Sequence, residues 1–99
     1  MTEHTSMPRD QVAERDVVVQ NQYGIHARPA ALLVKTAARF QSNITLEKDG
    51  VEVSAKSIMG VLTMEGYHGS RIRIRARGPD ANEAVEALSD LFEKKFYET

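Results

Sequence analysis

Cysteine is absent from these 99 residues, which removes disulfides, thiolate nucleophiles and thiolate metal sites together. Such a chain suits a reducing compartment, and the cytoplasm is the expected location. Long apolar runs are missing too: the longest, Pro29 to Val34, is far short of the roughly 20 residues that span a bilayer. The opening "MTEHTSMPRDQVA" lacks the apolar centre of an export signal, so a soluble, unexported protein without membrane insertion is expected. Neither sign of charge dominates, with 13 Lys and Arg against 14 Asp and Glu. No whole-molecule field therefore draws the chain to nucleic acid or to an anionic membrane. There is no internal repeat and no low-complexity segment.

What is present suits one small domain with one core, since 41% of the residues are hydrophobic and a chain of this size buries most of its surface on folding. Residues 1–13 are polar and without period, and read as a flexible tail; the domain is expected over 14–99. In "ERDVVVQ", Val17 and Val19 alternate with Asp16, Val18 and Gln20, the pattern of a half-buried strand. From Ala27 to about Phe40, residues Ala30, Leu33, Val34, Ala37 and Phe40 recur at helical spacing, with Pro29 in a first turn, where proline is tolerated. "NITLEKDGVEVSA" reads as a hairpin, because Ile44/Leu46 and Val51/Val53 flank Asp49-Gly50, a tight-turn pair.

Ser57 then stands as N-cap of a short helix with Ile58, Val61 and Leu62 at helical spacing. "SRIRIRARG" places Ile72, Ile74 and Ala76 on one side of a strand and Arg71, Arg73, Arg75 and Arg77 on the other. Asp80 and Glu83 make a capping-box-like start to a last helix with the stripe Ala84, Val85, Leu88, Leu91, Phe92 and Lys95/Phe96. The order strand, helix, strand, strand, helix, strand, helix predicts an α+β fold. All helices should lie on one face of a mainly antiparallel sheet.

The candidate for chemistry is His26, in "NQYGIHARPAALLVK". Imidazole, with an ordinary pKa of about 6.5, offers an uncharged ring nitrogen near neutral pH as nucleophile, base or ligand. Metal binding lacks support, since the other histidines are His4 in the tail and His68 in a loop, without ligand spacing. A catalytic triad lacks a serine or acid in a fitting context. A phosphoryl group fits better, because a helix N-terminus directs free N–H groups and a partial positive charge at whatever precedes it. The same dipole disfavours imidazolium and keeps the ring nucleophilic.

Pro29 has no N–H, so the donors expected to reach an anion on His26 are the amides of Arg28 and Ala30, with Ala27 beside them. Arg28 adds a permanent charge and a planar fork matched to phosphate oxygens. Gly24 permits a tight turn at positive φ, and Ala27, Ala30 and Ala31 keep the approach open. Taken alone, a loop histidine before a helix is more often merely solvated.

"GIHARPA" at 24–30, followed by "KSIMG" at 56–60, closely resembles the HPr family, the histidine-containing phosphocarriers of the phosphoenolpyruvate-dependent phosphotransferase system. The likeness covers about residues 14–97. It implies an open-faced two-layer sandwich, a four-stranded sheet with three helices on one face. It also implies that enzyme I passes a phosphoryl group to Nδ1 of His26, which hands it to an enzyme IIA-type domain while Arg28 steadies the group. Such a protein is a carrier with no cofactor and no turnover of its own. Tyr23 stands where sugar-system members commonly have a small polar residue, and "NQYG" and "GPDANEA" lean toward the nitrogen-related branch. "KSIMG" leans toward members controlled by serine phosphorylation. Glu65 and His68 stand where a glycine and a lysine are frequent. Either branch remains open on these residues.

The resemblance also makes Ser57 a regulatory site for an HPr kinase/phosphorylase, beside its capping role. It further suggests that Ile58 and Met59 are partly exposed near His26. With Ala31 and the basic face Arg28, Lys35 and Arg39, they form an expected docking surface for acidic, partly apolar partners. The arginine row of the last strand raises a nucleic-acid module as the alternative. Tyr23, Phe40, Tyr67, Phe92, Phe96 and Tyr97 all fall in loops or helices, however, whereas sheet-based RNA readers stack bases on strand aromatics. Asp16, Glu47 and Glu52 are placed to balance the arginines, and no nucleic-acid partner is expected. A purely regulatory adaptor sharing the His26 site is a third reading.

Overall fold

The computed structural model describes residues 10–98. Four strands, β1 (Gln11–Val18), β2 (Asn43–Lys48), β3 (Val51–Ser54) and β4 (Arg71–Gly78), and three helices, α1 (Ala27–Ala37), α2 (Ile58–Thr63) and α3 (Ala81–Glu93), follow the predicted order. The sheet runs β1-β4-β2-β3, and every neighbouring pair is antiparallel. The helices cover one face. Ile72, Ile74 and Ala76 of β4 are buried with Ile44 and Leu46 of β2, while Leu33, Val61, Leu88 and Phe92 reach them from α1, α2 and α3.

Strand β1 starts earlier than its alternation shows. Gln11 to Ala13, assigned to the tail on sequence, pair with Gly78 to Ala76; that pairing depends on a partner over 60 residues away and leaves little local pattern. Residues 1–9 of the expected tail lie outside the described residues. Helix α1 ends at Ala37, and Phe40 packs half-buried beyond its end. The Asp49-Gly50 turn forms as expected, both residues at positive φ (53° and 84°), the conformation a two-residue hairpin of the primed type requires. Val51, expected inward, is 60% exposed, because β3 is the edge strand and no element covers its end. Ile58 is 40% exposed, as the family resemblance suggests and against the inward line that its helical spacing alone gives: α2 is one turn and a half long, and Val61 with half-buried Leu62 fills the side that meets the core.

Asp80 is the N-cap of α3 but makes no side-chain cap bond, so the expected capping box does not form. Its carboxylate instead accepts the backbone N–H of Gln41 (3.0 Å), the N–H of Ser42 (2.9 Å) and the Ser42 hydroxyl (2.6 Å). These bonds, the Ser42 hydroxyl foremost, hold its pKa below the ordinary value. They also pin the loop that leads into β2 against the start of α3.

The open face carries a charge ladder. Arg73 meets Asp16 at 3.0 Å, and Arg75 meets Glu14 at 2.6 Å and Glu52 at 3.3 Å. Arg77 lies 3.7 Å from Asp10, and Glu47 pairs in register with Arg73. Glu14 and Asp10 join the expected acids because the register sets Glu14 opposite Arg75. A row of arginines balanced in this way is a solvated sheet face rather than a cationic track.

Candidate functional site

The turn before α1 is shaped by two glycines. Gly24 has φ +69°, and a Cβ there would collide with the carbonyl oxygen of Gly66. A Cβ on Gly66 would in turn lie 2.7 Å from Cδ1 of Ile25. With both side chains absent, the Ile25 N–H reaches the Gly66 carbonyl at 2.8 Å and Ile25 enters the core. Asn21, 2% exposed, closes the turn by donating from Nδ2 to the Gly24 carbonyl at 2.6 Å.

The next residue, His26, is the N-cap of α1 in extended conformation (φ −90°, ψ −162°), and its side chain caps nothing. Its ring is 43% exposed. The His26 carbonyl accepts the Ala30 N–H at 2.9 Å, which takes Ala30 out of the expected set of anion donors; an amide committed to the first helical bond is not free for a ligand. Ala27 and Arg28, whose amides precede any intrahelical bond, remain. Pro29 and Ala30 are buried, and Ala27, Arg28, Ala31 and Lys35 are exposed along the outer side.

Around the ring lies a hollow of about 380 Å³ lined by Gln22, Tyr23, His26, Arg28, Tyr97 and Glu98. Tyr23 stands edge-on to His26, ring centroids 6.4 Å apart. The far wall comes from the end of the chain. After α3 a single 3-10 turn, Lys95–Tyr97, holds three successive residues at positive φ (53°, 53° and 61°), a conformation that disfavours any residue with a Cβ. It is held because Phe96 is fully buried with its ring edge-to-face on Phe92 at 5.0 Å. The turn then delivers Glu98, whose Oε2 lies 3.1 Å from Nε2 of His26 and 3.6 Å from Nη1 of Arg28.

Sequence reasoning missed Glu98 and Tyr97. The stripe of α3 pointed to Phe96 as core, but nothing local shows that the backbone reverses hand there. Ser57 is the N-cap of α2, as expected, its exposed hydroxyl accepting the Gly60 N–H at 3.0 Å. Met59 is 66% exposed, and α2 packs beside α1. His68 has its Nδ1 3.4 Å from the Asn21 carbonyl and does not line the hollow around His26. Among the described residues no group of three His, Cys, Asp or Glu is placed to hold a metal, and no helix is long and apolar enough to cross a membrane.

An exposed histidine at a helix start, with a guanidinium and free amides beside it, is a group able to carry an anion covalently. The family profile described as "PTS HPr component phosphorylation site" matches residues 13–94. The chain belongs to the HPr family. It is a phosphocarrier protein of the phosphotransferase system. The phosphocarrier protein HPr of Xylella fastidiosa (strain 9a5c) is 49% identical over 85 residues, covering 86% of this chain and 96% of that one. HPr of Treponema pallidum (strain Nichols) is 48% identical over 84 residues, 85% of this chain and 96% of its own. Among solved structures, HPr-C-His from Thermoanaerobacter tengcongensis superposes with a TM-score of 0.85 at 46% identity, covering 88% of this chain and 98% of that one. HPr from Bacillus anthracis str. Ames gives 0.79 at 46% identity, over 82% and 96%.

Proposed function

We propose that the chain accepts a phosphoryl group from phospho-enzyme I on Nδ1 of His26 and passes it to an enzyme IIA-type domain. The observation that carries this reading is the exposed His26 ring at the N-cap of α1, next to the Arg28 guanidinium and the unbonded amides of Ala27 and Arg28. The amides and the helix dipole receive the negative oxygens; Arg28 adds a charge that needs no reorganisation. Donor and acceptor proteins supply the rest of each transfer site, so the chain is a carrier and turns nothing over alone. Ala31, Lys35, Ile58 and Met59, all exposed, form the surface on which acidic, partly apolar partners dock. The acceptor belongs to sugar uptake or to a nitrogen-type regulatory branch, and the work is done in the cytoplasm.

The test is direct. Incubation with enzyme I and phosphoenolpyruvate should place an acid-labile phosphate on the wild-type chain and none on His26→Ala. A phosphate of equal yield on the variant would remove His26 from the reading. Transfer onward to individual IIA domains then sorts the branch.

Ser57 is the proposed regulatory site, for an HPr kinase/phosphorylase. Its exposed hydroxyl at the head of α2 favours a phosphate locally, while nearly two added negative charges repel acidic partners. Ser57→Asp should therefore slow acceptance from enzyme I with little change in fold. An unchanged rate counts against regulation at this residue.

A further inference from the structure

We propose that Glu98 is a positioning residue for the phosphoryl transfer, selecting the His26 tautomer that leaves Nδ1 as the nucleophile. This rests on the carrier reading above. Glu98 is 19% exposed, and its Oε2 stands 3.1 Å from Nε2 of His26. A carboxylate oxygen only accepts and carries negative charge, so its place beside Nε2 favours the tautomer with the ring's single N–H on Nε2 and the lone pair on Nδ1. The carboxylate is itself oriented: Oε1 accepts from Nδ2 of buried Asn21 at 3.0 Å, the amide that also closes the Gly24 turn at 2.6 Å. Arg28 lies 3.6 Å from Oε2 on the other side. Asn21, Glu98 and His26 thus form a chain of orienting contacts of the kind that fixes an imidazole for nucleophilic work.

The chemistry balances without moving a ring proton. The Nδ1 lone pair forms the bond to phosphorus as the donor's bond to phosphorus breaks, its electron pair leaving with the donor. The Nε2 proton stays, and the positive charge that develops on the ring faces the Glu98 carboxylate. In the onward step the N–P bond breaks, its pair returns to Nδ1, and the leaving group is neutral imidazole. Without an acceptor at Nε2 the ring distributes its proton between the two nitrogens, and the fraction carrying it on Nδ1 cannot attack.

The test uses the full chain with 15N-labelled histidine, at a pH where His26 is neutral. Two-bond 15N–1H correlation spectra report which nitrogen carries the proton. Wild type should show His26 with its proton on Nε2; Glu98→Ala should raise the share carrying it on Nδ1; Glu98→Gln, which keeps a carbonyl acceptor, should restore the wild-type share. Acceptance from enzyme I should fall up to about fivefold in Glu98→Ala, the scale of a partly exposed contact, and recover in Glu98→Gln. An Nδ1-protonated wild type, or a tautomer share unmoved by Glu98→Ala, would overturn the proposal. Wild type that takes no phosphate at all defeats the carrier reading, a failure distinct from an unmoved tautomer share in a chain that still accepts phosphate.

Discussion

Arg28 donates from Nη1 to the backbone carbonyl of Phe96 at 2.8 Å, across 68 residues of sequence. The guanidinium beside His26 is thereby held by the last turn of the chain, and it keeps further N–H groups for an incoming anion. Arg28→Lys keeps the charge and loses the fork, so acceptance from enzyme I should fall about tenfold, the low end for one charge-assisted hydrogen bond. Single-turnover phosphorylation measures it, and a rate within twofold of wild type would show that charge alone suffices.

Phe96 holds that turn in its left-handed form. Phe96→Ala removes a fully buried ring and its contact with Phe92, and should destabilise the fold by about 3–5 kcal/mol, read by urea denaturation. The turn should also relax, so the NMR signals of Arg28 and Glu98 should broaden or shift well before the sheet unfolds.

Gly24 allows no side chain, because its φ is positive and the Gly66 carbonyl occupies the place of a Cβ. Gly24→Ala should cost about 1–3 kcal/mol and displace His26 from the start of α1. Both effects must appear together; a fully stable Gly24→Ala chain with wild-type transfer would refute this account of the turn.

Glu65 sits at φ +57° just past the end of α2, a position that suits glycine. Its contact there is through the backbone, the carbonyl accepting from Lys48 Nζ at 2.7 Å, which glycine would keep. Glu65→Gly should stabilise the protein by about 1 kcal/mol, or roughly 4–8 °C in Tm for a domain of this size. Calorimetry decides the sign.

Asp80 links stability to acid. Its folded pKa lies below the ordinary 3.8, chiefly through the Ser42 hydroxyl and then the Gln41 amide. The unfolded chain therefore binds the proton first, so this contribution is fully present above about pH 4 and is lost as pH falls through the folded value. Asp80→Asn should be less stable than wild type at neutral pH, with the gap closing in acid. A gap that widens as pH falls would reverse the assignment.

The order of strands and helices, the helical stripe of α1, the Asp49-Gly50 turn, the buried and wet faces of β4 and the pairing of His26 with Arg28 were legible in the chain itself. Each of these depends on periodicities or turn preferences within a few residues, and the motifs around His26 and Ser57 are contiguous. Tertiary structure alone decided the rest. Gln11 to Ala13 became strand through a distant partner, and Val51 stayed exposed because it lies on the edge strand. Asp80 left its helix cap for a loop 38 residues away, and Ala30 gave its amide to the His26 carbonyl. Glu98 reached His26 only because burying Phe96 outweighs three left-handed residues, a balance between core packing and backbone strain that no local stretch of sequence displays.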